Sequence, residues 1–174
     1  MTYGVVRPSI LLNVSGYSMF EGGLLHDIMH DLFEDVVQYE LKLQLVYVVD
    51  KNVLILQEFN KWLINFDYGY SEIADKPTPI VRTTLFSGDK KLRQGASQCM
   101  LLVRILPLLL ADCFDEEEDD PHWECYLCLL RIINLCLSPV VTVDMCATLK
   151  VLIEEHHTRF CEVYPEETII PKMH

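Results

Sequence analysis

The chain has 174 residues, 51% of them apolar, which is enough for one domain with a sizeable core. Its 14 basic and 26 acidic residues give a formal charge of -12, which repels polyanions and argues against a free-standing nucleic-acid binder. Seven cysteines, an odd number with no signal peptide ahead of them, point to reduced thiols inside the cell, nuclear or cytoplasmic, rather than a disulfide framework.

Residues 1–23 are punctuated by Pro8, Gly16, Gly22 and Gly23 and read as an irregular or short-strand segment. Residues 24–174 read as a single helical domain. From Asp27 to about Val49 the period is helical. Ile28, Leu32, Val36, Tyr39, Leu43 and Val46 form one apolar row, and Met29, Phe33, Val37, Leu41 and Leu45 the next. Asp31, Glu34, Asp35, Gln38 and Lys42 collect on the opposite, solvent-side face of a long amphipathic helix, with roughly two thirds of its surface expected to be buried. A shorter helix is predicted from Leu54 to Phe66. A linker at about 67–91 follows, with Gly69, Pro77, Pro79 and Gly88, long enough to be a functional loop or a joint between subregions.

Leu92 to about Phe114 is predicted helical, with Pro107 expected to kink or end it. This stretch holds the longest apolar run, Cys99 to Ala111. Arg104 and Pro107 break it short of the roughly 18 apolar residues of a membrane span, so no membrane is implied. Asp120 and Pro121 predict an N-cap and first-turn proline for a helix to about Leu137. That helix is apolar on nearly every side and is expected to be central. Ser138-Pro139 stops it, and a last helix runs from about Val143 to Tyr164. The expected fold is mainly α, with about five helices behind a short irregular or β N-terminal segment.

Several constellations are candidates for chemistry. His26 and His30 stand one helical turn apart around Asp27, as in zinc peptidases, and Glu34 lies one turn further on. A polar first helical turn is the plainer account of the same residues. Cys125 and Cys128 lie inside an apolar helix with no second cysteine pair at finger spacing, which reads as core packing. The acidic run Asp115 to Asp120 reads as a solvated helix-initiating loop. His156, among Glu154, Glu155 and His157, falls in the apolar row of its helix and is expected to be a hydrogen-bonded core histidine. Lys90, Lys91 and Arg93 read as a charged helix entrance. No serine or cysteine triad, phosphate loop or dinucleotide fingerprint is visible.

Asp27 to Glu34 (DIMHDLFE), Val36-Val37 and Tyr39 to Leu43 (YELKL) resemble a segment of transposon-encoded proteins of animal genomes. The resemblance continues through Phe66 to Tyr70 (FDYGY), Asp75 to Ile80 (DKPTPI), Leu152 to His157 (LIEEHH) and Pro171 to His174 (PKMH). It covers nearly the whole chain from about Tyr17. It implies a cut-and-paste transposase with an RNase H-like core, in which three acidic residues hold two divalent ions, usually Mg²⁺. Asp27 and His30 match the Asp-x-x-His signature that follows the second catalytic acid, with Asp31 next to them. The rest would be the helical insertion before the final catalytic glutamate. Leu25-His26 replace the usual proline pair, and Asp35 replaces the usual glycine.

The resemblance places the first and last acids outside this span. The expected function is therefore a truncated or domesticated transposase-like protein, without catalytic activity alone, acting as a helical structural and interaction module. The alternatives are a metal-dependent strand-transfer subunit completed by other segments, and a zinc enzyme using His26 and His30. The module needs no cofactor by itself, with Mg²⁺ implied only in a complete transposase. Its expected partners are another protein or a second copy, and nucleic acid only in a complete transposase.

Overall fold

The computed structural model describes residues 27–110, 113–114 and 120–173, which are mainly helical with no strand among them. The segment 1–23, His26 and the acidic residues 115–119 lie outside the described residues.

The long first helix has a different start from the one the periodicity predicts. Met29–Val36 is π-helical, and only Val37–Asp50 is α-helical (α1). The amide of Val37 donates to the oxygen of Leu32, five residues back instead of four. A 3.6-residue period cannot signal that widened turn.

α1 is the centre of the fold and is wrapped almost all round. Val37, Leu41, Leu45 and Val48 are buried, and so are Gln38, Glu40, Lys42 and Gln44. The expected solvent face is thus partly covered. Gln38 Oε1 accepts from the amides of Arg93 (2.9 Å) and Gln94 (3.3 Å). Lys42 Nζ donates to the oxygen of Ser87 (2.9 Å), to its hydroxyl (3.1 Å) and to the oxygen of Asp89. Backbone from the following loop replaces the water these polar groups would otherwise bind. Arg93 adopts a left-handed backbone (φ 62°), and its amide is the nearer of the two that Gln38 holds.

α2 (Leu56–Asn65) buries Leu56, Phe59 and Leu63, three positions at helical spacing. The segment 67–91 contains two one-turn helices, α3 (Gly69–Glu72) and α4 (Arg82–Leu85), with a 3₁₀ turn at Ile73–Asp75. It buries Tyr68, Ile80 and Leu85. Asn60 holds it by bonding both ways to the backbone of Ile80, at 2.9 and 2.8 Å.

α5 (Ala96–Leu110) runs past Pro107 instead of ending there. α6 (Pro121–Cys136) begins at the predicted cap, where Asp120 Oδ1 accepts from the amide of Trp123 at 2.9 Å. It buries Cys125, Tyr126, Cys128, Leu129, Ile132 and Ile133 but leaves Trp123, Leu127 and Leu130 half-buried, so α1 rather than α6 is central. α7 (Val143–Val163) makes its main contact with α6 and buries only His156 and Phe160. Its N-terminal half faces outward, with Val143 85% and Val151 61% exposed. A 3₁₀ turn, Pro171–Met173, returns against the π-helical start and buries Met173.

Candidate functional site

The Asp27-x-x-His30-Asp31 motif sits on the first turns of the π-helical stretch. Asp27 Oδ1 accepts from the amide of Met29 at 2.9 Å, as an N-terminal cap does, and Oδ2 accepts from His30 Nδ1 at 2.6 Å. This contact raises the imidazole pKa above its ordinary value, and the same hydrogen bond lowers that of Asp27. Both side chains are more than half exposed. Glu34 Oε2 lies 4.0 Å from His30 Nε2, on the other side of the ring. His26, the remaining member of the zinc-like set, lies outside the described residues.

Asp31 and Asp35, one turn apart, share one cation from the far end of the sequence. Lys172 Nζ is 3.2 Å from Asp31 Oδ1 and 2.5 Å from Asp35 Oδ2, and it also donates to the oxygen of His30 at 3.4 Å. Lys91 reaches the other oxygen of Asp35 at 2.7 Å. Hydrogen bonds from Lys172 and then Lys91 hold the Asp35 carboxyl below the ordinary range. The basic residues read as a helix entrance are therefore engaged with acids of their own chain. Lys90 lies 4.0 Å from Glu167, and Arg93 3.6 Å from Asp89.

A second constellation lies deeper. His156 Nε2 donates to Glu40 Oε2 at 2.8 Å, and both side chains are less than 5% exposed. His156 is thus the hydrogen-bonded core histidine that its row predicts. Cys125 completes a group of three buried side chains whose ligand-type atoms lie within 4.8 Å of one another. Burial, and then the nearby Glu40, push the Cys125 thiol pKa well up, so without a cation it stays protonated. Glu40 Oε1 and Gln44 Nε2 have no hydrogen-bond partner although both atoms are buried. Beside this group, between the π-helical stretch, α6, α7 and the C-terminal 3₁₀ turn, lies a cavity of about 480 Å³. Its walls are mostly apolar (Leu32, Val36, Leu129, Ile153), with Asp31, Lys172 and His156 as the polar groups in the lining.

Glu40 carries no local sequence signal as a site residue. A glutamate in a row of alternating polar and apolar residues reads as solvated, and only the packing of α6 and α7 on α1 surrounds it. Cys128, three residues on from Cys125 in α6, points elsewhere: its sulfur lies 3.6 Å from the oxygen of Leu152. Among the described residues, no helix is long and apolar enough to cross a membrane. No family model, no curated protein and no solved structure matches this chain.

Proposed function

We propose that this chain is a transposase-like helical module that works by packing and protein contact and performs no chemistry by itself. The observation that carries the reading is the Lys172 ammonium between Asp31 and Asp35. A metal-binding acid in such an enzyme needs an oxygen free to meet a divalent ion. Here the acids beside the signature are neutralised within the chain, while Asp27 caps a helix and binds His30. The resemblance carried by DIMHDLFE, YELKL and PKMH supports the family, and the mainly helical fold agrees with its insertion region.

The contact surface of such a module would include the α6–α7 turn, where Val140, Val141 and Val143 are each more than 60% exposed. Seven cysteines, all free thiols, fit a nuclear or cytoplasmic protein. The test is DNA nicking and strand transfer by the purified chain with Mg²⁺ or Mn²⁺. The expected result is no activity above that of Asp27→Ala. Metal-dependent cleavage that Asp27→Ala abolishes would overturn the reading.

One observation favours a second reading, a strand-transfer subunit whose other acids come from elsewhere. Asp27 and His30 are exposed at the start of their helix and paired with each other, so they are accessible to another chain. Mg²⁺-dependent broadening of the His30 ring resonances would support this reading, and their insensitivity to Mg²⁺ would count against it.

A further inference from the structure

Glu40 on α1, Cys125 on α6 and His156 on α7 bring a carboxylate oxygen, a thiol sulfur and an imidazole nitrogen within 4.8 Å of one another. All three side chains are buried, and each comes from a different helix. The carboxylate is incompletely satisfied. Oε2 has the His156 ring, while Oε1 has no partner in a side chain that is 4% exposed. A buried carboxylate oxygen without a donor is a costly state, and a nearby cation relieves it more fully than a neutral donor does.

We propose that Glu40, Cys125 and His156 bind a zinc ion that ties α1, α6 and α7 together. Sulfur, imidazole nitrogen and carboxylate oxygen are the three donor types that zinc accepts, and a thiolate disfavours Mg²⁺ and Ca²⁺. The charges close as well. One thiolate and one carboxylate neutralise Zn²⁺, so the loaded site has no net charge to bury. On binding, Cys125 releases its thiol proton to solvent. The hydrogen on His156 Nε2 leaves or moves to Nδ1, which frees Nε2 as a ligand. His156 also lines the 480 Å³ cavity, which gives the ion a way in. This site is separate from the exposed Asp27–His30 pair, and it stands whether or not the chain is transposase-like.

The competing account is a plain ion pair, with Glu40 Oε1 satisfied by the Gln44 amide one turn along α1. The two accounts part on the wild-type chain without any substitution. With zinc, we expect roughly one tightly held ion per chain in elemental analysis of purified protein. Cobalt replacement should give a thiolate-to-cobalt charge-transfer band, and zinc added to stripped protein should raise its melting temperature. Cys125→Ser, close in size to the wild type, should lose the band and most of the bound zinc. Cys128→Ser and His30→Ala should keep both. Folded wild-type protein that takes up no zinc and gives no cobalt band would leave only the ion pair and overturn the proposal. So would zinc that survives Cys125→Ser but disappears with His30→Ala.

Discussion

The hydroxyl of Tyr126 on α6 donates to the main-chain oxygen of Val103 on α5 at 2.5 Å. Val103 lies four residues before Pro107, so its carbonyl is the one whose helical donor the proline removes. Tyr126 is buried, and burial pushes its pKa well above the ordinary value, which keeps the hydroxyl a donor. α6 thus supplies the hydrogen bond that α5 lacks, which is why α5 runs on to Leu110 instead of stopping at Pro107.

Tyr126→Phe should therefore leave a buried carbonyl unsatisfied and destabilise the chain by about 1–3 kcal/mol. Pro107→Ala restores the amide at position 107, so the same Tyr126→Phe change should cost clearly less in that background. Denaturant midpoints of the four proteins in this cycle measure the coupling. Equal costs in both backgrounds would show that the hydroxyl does not compensate for the proline.

How legible this was differs between elements. Asp120-Pro121 and Ser138-Pro139 mark the ends of α6 because capping and proline chemistry are local. The period likewise finds α7 to within a residue. The π-helical start, the one-turn helices α3 and α4 and the burial of Gln38 and Lys42 left no such trace. Four-residue helices are too short to show a period, and the polar residues of α1 are covered by backbone from distant sequence. The site divides in the same way. Asp27, His30 and Asp31 are legible because they are neighbours on one turn. Glu40 and His156 stand 116 positions apart and meet only through packing.

Lys42 offers a direct check on how the loop after α4 is held. Its ammonium serves the oxygens of Ser87 and Asp89, and burial pulls its pKa below the ordinary lysine value. Lys42→Met keeps the apolar stem but removes all three hydrogen bonds. Ser87 is half-buried and Asp89 exposed, so water can take over part of the donation, and the expected cost is about 1 kcal/mol. Amide exchange should rise first around residues 86–91, ahead of α5 and α6. Uniform loss of protection across the core would mean that Lys42 supports the whole fold rather than this loop.

The Asp27–His30 pair predicts a titration with a defined sign. The folded histidine pKa is raised, so its contribution is full below the unfolded value of about 6.5 and is lost as pH rises through the folded value. The Asp27 pKa is lowered, so its contribution is full above about 3.9 and is lost as pH falls toward the folded value. The pair therefore helps most between those limits. NMR titration of the His30 ring should give a value above that of an exposed histidine, and Asp27→Asn should bring it down. An unchanged His30 titration in Asp27→Asn would exclude Asp27 as the main cause.

The Lys172 bridge should show its sign in acid. The Asp35 carboxyl is held low by hydrogen bonds from Lys172 and Lys91, with their charges adding to the effect. Its contribution is thus complete above the unfolded pKa of about 3.9 and fades as pH falls below that toward the lowered folded value. Asp35→Asn should be less stable than wild type at neutral pH, and the gap should narrow as pH falls from about 4 toward 2. Lys172→Met should remove part of the same gap. It should also loosen the Pro171–Met173 turn, because Lys172 ties that turn to Asp31 and Asp35. Raising the salt should weaken the wild type more than Lys172→Met, since these side chains are only partly buried and their attraction is screened. Denaturation curves for the three proteins against pH and salt test the chain of cause directly. A gap between Asp35→Asn and wild type that stayed constant down to pH 2 would mean that Asp35 acts through packing and not through its charge.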